Sequence, residues 1–426
     1  MKVDSMRFLD QWVGIPVSAV LTASRKLGDL IRHRAANSPQ RILIIKLVEQ
    51  GATVVAEPAL RRAVEMVGRE NVFMVVFRKN RFILDVLDII PAENIITIRS
   101  SNLFGLAIDT FRALRRVRCE KIDTAVDFEF FSRFSGAFAY LSGATRRVGF
   151  HSFAGEAGYR GDLMTHRVAY NIVLHASQTY RVLVETANMD AGVLPGMPFI
   201  ADKEQPVSTF VPSADETAQV QALLHDVFGT DTAARLVLLN ANSGDLLPLR
   251  RWSIDRYVAL ANRLLEQYPD VVVAFTGSPD EQMEADRLAA RVDSVRCVSL
   301  GGRTTLRQLL ILYCLAEVLV TNDSGPAHYA SLTPVDVVTL FGPESPAIFG
   351  ALTERNHVIW AGLACSPCVN AFNQRLTTCR NNLCMQQISI DQVFATVCRV
   401  LDQRDKIERL IPRAAKRAAH RRRLLA

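Results

Sequence analysis

Short, continuous apolar runs recur along the chain, each followed by a segment of helical periodicity. The first four are ILII at 42–45, VFMVVF at 72–77, NIITI at 94–98 and DTAVDF at 123–128. Between the first two, EPALRRAVEMVG spaces its apolar residues three to four apart, the repeat of a helix with one buried face. A β-branched run without polar alternation is a strand buried on both sides, so the pattern points to a parallel sheet covered by helices on both faces.

The pattern then breaks and restarts. Residues 192–216, GVLPGMPFIADKEQPVSTFVPSADE, hold three prolines by Pro206 and no sustained period, and read as an interdomain connection. Beyond it come LVLLN at 236–240, VVVAFT at 271–276, VRCVSL at 295–300, EVLVTN at 317–322 and VDVVTLFG at 335–342, with helices expected from Ser253, Pro279, Thr305 and Gly325. No short repeat or low-complexity tract interrupts them. The expected fold is α/β, two Rossmann-like doubly wound domains facing a cleft, spanning 41–205 and 206–400. Ligands bind such a cleft at the carboxyl ends of the strands, where helix N-termini present free amides. With 426 residues, 49% hydrophobic and 22% charged, the chain has the composition of a soluble protein able to bury a sizeable core.

The charge is concentrated at one end. Residues 404–426 hold nine Lys and Arg against two acids, which equals the net +7 of the whole chain. A basic tail over 401–426 is either a solvated face or an attraction for an anionic surface. No basic stripe with interleaved aromatics is present, which disfavours nucleic acid. At the other end, FLDQWVGIPVSAVLTA at 8–23 includes 12 uncharged residues from Trp12 and runs into SRKLGDLIRHR. The stretch is too short to span a bilayer and lacks the flanks of a secretory signal. Residues 1–40 therefore read as an amphipathic segment lying in a membrane surface, with packing on the protein's own core as the alternative.

Eight cysteines without an export signal suggest a reducing compartment, and four cluster as Cys365-x2-Cys368-x10-Cys379-x4-Cys384. The first pair has zinc-ligand spacing, so a structural zinc tying down this loop is one expectation, and plain free or buried thiols the other.

The stretch TNDSGPAHYASLTP at 321–334 ends a strand and opens a helix. Ser324 can cap that helix, Gly325-Pro326 fit its start, and the free amides of its first turn make an anion seat with His328 in reach. Asp323, just before them, can bond a hydroxyl. Taken alone, the motif is equally a capped helix with a satisfied histidine.

Together with PVDVVTLFGPESP, these residues resemble the nucleotide-sugar site of glycosyltransferase family 9, the ADP-heptose:lipopolysaccharide heptosyltransferases and their relatives. RILIIKLVEQGATVVAEPALRRA is similar to the family's first strand, loop and helix, LSGATRRVGF and NIVLH to its middle, and LLPLRRWSIDRYVALANRL to the opening of its second domain, so the likeness runs from 41 to about 400. It implies a GT-B fold with the acceptor on the first domain and the donor on the second. It further implies that Asp323, Ser324, Gly325 and His328 hold the donor's ribose and diphosphate, that Arg250 and Arg251 neutralise phosphate, and that Gly277 and Ser278 lie by the nucleotide base. An arginine suits the phosphate position because its guanidinium grips in two places.

One departure bears on the chemistry. Where the family places Gly-Asp after the first strand, this chain has Gly51-Ala52, and an alanine accepts no proton. Glu49 in the same loop is the first substitute as general base, followed by Glu57, Asp127 and Glu129, while Lys46 is a candidate anchor for acceptor or leaving phosphate. The implied activity is inverting transfer of a sugar, heptose or similar, from a nucleoside diphosphate to lipopolysaccharide or another lipid-linked glycan, with no metal strictly required. The expected setting is the inner face of a bacterial inner membrane, held there through an anionic surface. The alternative is an inactive GT-B scaffold that binds nucleotide-sugar or glycolipid.

Overall fold

The computed structural model describes residues 3–31, 38–196, 207–229, 235–244 and 247–404. The tail beyond Arg404 and residues 197–206 of the proline-rich connection lie outside the described residues.

Two six-stranded sheets, parallel throughout, form the scaffold. The first contains β1 (Ile42–Ile45), β2 (Val72–Phe77), β3 (Ile95–Ile98), β4 (Thr124–Asp127), β5 (Arg146–Phe150) and β6 (His166–Val168), in the order β3-β2-β1-β4-β5-β6. The second contains β7 (Arg235–Asn240), β8 (Val271–Phe275), β9 (Cys297–Ser299), β10 (Val318–Asn322), β11 (Asp336–Phe341) and β12 (Asn356–Trp360), in the order β12-β11-β10-β7-β8-β9. Renumbered from its own first strand and read from the other edge, the second order repeats the first. Each sheet thus has its switch point between two central strands, β1 and β4 in one and β7 and β10 in the other, where a crevice opens at the strand ends.

The apolar runs explain the central strands directly. Ile42, Leu43, Ile44 and Ile45 are all fully buried, as expected of a strand covered on both faces. Strands β5, β6 and β12, which the apolar pattern did not single out, lie toward the sheet edges and carry polar or charged residues. Arg147 is buried in β5 because its guanidinium donates to the carbonyls of Leu163 and Ala144, both at 2.7 Å.

The amino-terminal helices Val3–Trp12 and Gly14–Ile31 pack over the helix Arg133–Leu141. Asp10 caps that helix from outside, accepting from the backbone amides of Arg133 and Phe134 at 3.0 Å each and pairing with the Arg133 guanidinium at 3.1 Å. A Cβ on Gly14 would stand 2.8 Å from Arg133 Cβ, so glycine allows this approach. Arg25 pairs with Asp162 at 2.6 Å, and Thr22 Oγ1 accepts from the Asp162 amide. The opposite face carries exposed Phe8, Trp12, Val20 and Leu27. Among the described residues no helix is long and apolar enough to cross a membrane.

Several contacts join the two domains. Helix Gln50–Val55 abuts helix Gly325–Ala330, with the Tyr329 hydroxyl 3.4 Å from Gln50 Oε1. Buried Glu57 accepts from the amide of Ser208 at 2.9 and 2.8 Å and from Arg61 at 3.0 Å, fixing the chain as it enters the second half. His175 Nε2 meets the Gly350 carbonyl at 3.0 Å. Phe372, on the loop that carries the cysteines, packs its ring against Phe131 and Tyr170 of the first domain.

Candidate functional site

The site is assembled at the facing switch points. On the second domain, Asn322 ends β10 and is fully buried. It accepts from the Trp252 amide at 3.0 Å and donates to the carbonyls of Ala241 and Asn242 at 2.9 and 3.1 Å, which pins the loop after β7 and the segment carrying Arg250. Trp252 is buried and donates its indole N–H to the Ile388 carbonyl at 2.9 Å, and Asn382 donates to the carbonyls of Leu249 and Arg251. Arg250 is thereby held rigidly beside Asp323. Ser324 occupies the N-cap position of helix Gly325–Ala330 but does not cap it, since its hydroxyl donates instead to the Asn322 carbonyl at 3.2 Å. That helix has six residues, too few for a substantial macrodipole, so the positive potential here comes mainly from the guanidinium groups.

Several buried polar atoms at this place find no hydrogen-bond partner among the described residues: Asn242 Oδ1, Ser243 Oγ, Asp323 Oδ2, His328 Nδ1, Arg250 Nε and Arg251 Nε. Native interiors leave few such atoms, and a convergence of them at strand ends marks a place for a polar ligand. A Cβ on Gly51 would stand 2.7 Å from His328 Cδ2 and 3.2 Å from Gly325 Cα, so glycine at 51 brings the first domain onto this corner of the second.

Charge is tightly organised there. Arg250 Nη1 lies 3.1 Å from Glu344 Oε2 and 3.9 Å from Asp323 Oδ2, and Nη2 donates to the Ser243 carbonyl. Arg375 sets its Nε 3.1 Å from Glu344 Oε1 and pairs through Nη1 with Glu49 of the first domain. Burial favours protonation of Glu49, yet Arg375, Lys46 and Arg250 outweigh it and hold the carboxyl down at about 2. Burial, with Glu344 alongside, pushes the Asp323 carboxyl well above the usual range. His328 is drawn down to about 4, chiefly by burial and then by nearby His175.

The first-domain candidates are engaged differently from the sequence expectation. Lys46 is buried, donating to the Val48 carbonyl at 2.7 Å and to Glu129 Oε1 at 3.2 Å. Glu129 also accepts from the amides of Leu47 and Val48, and Asp127 is taken up by Arg160, Ser135 and the Glu129 amide. Glu57 serves Ser208. None of these three carboxylates stands ready to receive a proton from an incoming hydroxyl, whereas Glu49, although paired, lies at the domain boundary.

Gly277 and Ser278 follow β8, and Ser278 forms a reciprocal cap with Glu281, whose carboxylate accepts from the Ser278 amide at 2.8 Å. A Cβ on Gly277 would lie 3.4 Å from Asn242 Nδ2, which joins this turn to the unsatisfied cluster. The cysteines at 365, 368, 379 and 384 are free thiols; burial and then the other three push the Cys384 thiol up. Among the described residues, no group of three or more His, Cys, Asp or Glu side chains is arranged to hold a metal ion.

Glu344 and Arg375 were missed from sequence. Glu344 had a signal, since it lies in FGPESP just past the end of β11, where ligand groups collect. Arg375 had none, because it sits in an irregular loop that only the tertiary fold brings to the site.

The family model for glycosyltransferase family 9 (heptosyltransferase) matches residues 112–377. The chain belongs to glycosyltransferase family 9. Within that family, lipopolysaccharide heptosyltransferase 2 of Salmonella typhimurium is 33% identical over 115 residues, which is 26% of this chain and 32% of that protein. Lipooligosaccharide heptosyltransferase 2 of Haemophilus ducreyi is 32% identical over 151 residues, 34% of this chain and 42% of that protein. The matched segments thus span 32% and 42% of these relatives' lengths. Among solved structures, E. coli ADP-heptose lps heptosyltransferase II superposes with a TM-score of 0.65 at 19% identity, covering 86% of this chain and 99% of that one. E. coli heptosyltransferase WaaC with ADP gives 0.56 at 16% identity, covering 84% and 99%. The fold of this family 9 chain is accordingly GT-B, two doubly wound domains across a cleft.

Proposed function

We propose that this protein is an inverting glycosyltransferase that moves a sugar, heptose or a close analogue, from a nucleoside diphosphate to a lipopolysaccharide or other lipid-linked glycan acceptor. The observation that carries the reading is the set of unsatisfied buried polar atoms gathered around Arg250 at the ends of β7 and β10, in a chain of family 9. The names of the relatives, lipopolysaccharide heptosyltransferases and a structure with ADP, support the donor and acceptor classes.

In this reading Asp323 bonds a donor hydroxyl, and Arg250 and Arg251 neutralise the diphosphate, with Ser324, Gly325 and His328 beside it. Gly277 and Ser278 border the base. The acceptor hydroxyl attacks the anomeric carbon, the bond from that carbon to the diphosphate oxygen breaks, and its electron pair leaves with the diphosphate. Fixed cations aimed at that growing charge are the largest catalytic contribution. The hydroxyl proton goes to Glu49, the carboxylate nearest the place where Ala52 offers none; a positioned base is worth about 10²- to 10⁴-fold. The exposed faces of the amino-terminal helices seat the protein on an anionic inner-membrane surface.

The second reading, a scaffold that binds without turnover, draws support from Ala52 and from the Arg375 grip on Glu49. A turnover screen of purified protein over nucleoside diphosphate sugars, with lipid extract as acceptor, separates the two. Acceptor-dependent release of diphosphate, lost about 100-fold or more in Glu49→Gln, is expected. Nucleotide binding without turnover for any sugar would favour the scaffold.

A further inference from the structure

Arg375 and Glu344 have no role in the scheme above, yet they form the centre of its charge cluster. Glu344 is only 1% exposed, a carboxylate removed from water and tolerated because two guanidiniums flank it, Arg250 on one oxygen and Arg375 on the other. A guanidinium grips a phosphate as it grips a carboxylate, through paired N–H donors, so groups set to flank one anion are equally set to receive another. Arg375 then reaches across the cleft to Glu49.

We infer that Glu49 occupies, in the unliganded protein, the place on Arg375 that a donor's diphosphate takes when it binds. This inference rests on the reading of the donor site given above, and it makes Arg375 a diphosphate ligand delivered by the cysteine-bearing loop.

Three observations carry it. First, the two guanidiniums of Arg250 and Arg375 already face three carboxylates, Glu49, Glu344 and Asp323. An incoming diphosphate adds at least two negative charges, so a carboxylate must give way. Glu49 is the one placed to leave: its side chain is 25% exposed and it belongs to the other domain, while Glu344 is 1% exposed and lies in the same domain as both arginines. Second, both partners of the pair are held in strained backbone, Glu49 at φ 66° and Arg375 at φ 58°, with Gln374 at φ 52° beside it. Non-glycine residues stay in that region only when their surroundings impose it, and such strain gathers at places that switch. Third, the loop is built to present this side chain. Asn370 accepts from the amides of Phe372 and Asn373, and Asn373 accepts from the amides of Asn370 and Arg375, a closed turn that fixes where Arg375 points.

The exchange has a chemical consequence. While Arg375 holds it, Glu49 is a carboxylate of very low basicity. Once the diphosphate takes the guanidinium, the Glu49 carboxyl returns toward its ordinary range and can accept the hydroxyl proton. Donor loading therefore arms the base, and the unloaded protein is left without one.

Calorimetric titration of the full chain with ADP, UDP and GDP tests this. For whichever nucleotide the wild type binds, Glu49→Gln is expected to bind it about 5- to 10-fold more tightly, since a competitor for Arg375 is gone. Arg375→Ala is expected to bind about 10- to 100-fold more weakly, and adding Glu49→Gln to it should restore nothing. Should Arg375→Ala not fold, Arg375→Lys, which keeps the charge and loses the two-pronged grip, carries the same test with a smaller loss. Unchanged or weaker binding in folded Glu49→Gln would overturn the inference alone. Absence of binding by the wild type to all three would overturn the donor-site reading with it.

Discussion

His328 gives the site a pH response that can be followed at a single residue. Burial and then His175 hold its imidazole near 4, with Glu49 working against them and Arg250 and Arg375 alongside them, while an unfolded histidine titrates near 6.5. Between those values the unfolded chain binds a proton that the folded one refuses. Stability from this residue is therefore complete above pH 6.5 and is lost as pH falls toward 4. An unfolding free energy from urea titration that drops over this window by on the order of 2 kcal/mol, with the drop flattened in His328→Asn, is the expected result; equal slopes in the two proteins would mean that His328 is not buried neutral. Asp323 and His328 were legible in the sequence because they follow a strand in a motif whose residues are consecutive. Glu344 and Arg375 were not, since what joins them is a contact over 31 positions, and no local pattern encodes it.

Among the elements, the amino-terminal helices divide their duties by face. Asp10, Gly14, Ser18, Thr22 and Arg25, spaced three to four apart, meet the first domain, and Phe8 and Trp12, 61% and 65% exposed, pair their rings on the outside. Sequence offered an anchor or a packing helix as alternatives; the small and polar inward residues are what hid the second role. Vesicles containing anionic phospholipid are expected to bind the Phe8→Ala/Trp12→Ala variant at least tenfold more weakly than the wild type, each ring being worth about 1.5 kcal/mol when buried. The urea midpoint should not move, because neither ring supports the core. Undiminished vesicle binding would take these helices out of the membrane contact. The central strands were read within a residue or two, and the missed ones are polar strands toward the sheet edges, where burial no longer writes an apolar run.

At the scale of the whole molecule, the same six-strand topology occurs twice, and the loop around Phe372 and Arg375 fastens one copy to the other. Phe372→Ala should loosen that fastening without touching either sheet. Hydrogen exchange at the amides of Gln50–Val55 and Gly325–Ala330 is expected to quicken about tenfold, on the order of 1–2 kcal/mol, with β1 and β10 unaffected. Unchanged exchange would assign the closure to the remaining contacts. The repeat of the fold was visible in the sequence as a pattern that restarts; the fastening was not, since it depends on side chains brought together from three separate segments.

The resting balance between carboxylates and guanidiniums also sets a threshold for admission. An empty pocket of bare arginines would collect whatever small anion the surroundings supply in excess, inorganic phosphate above all. In the exchange inferred above, a visitor must displace a carboxylate already seated, which a single phosphate grasped at one end does poorly and a diphosphate spanning both arginines does well. Selectivity for the longer anion is then a property of the protein before any part of the nucleotide or sugar has been touched.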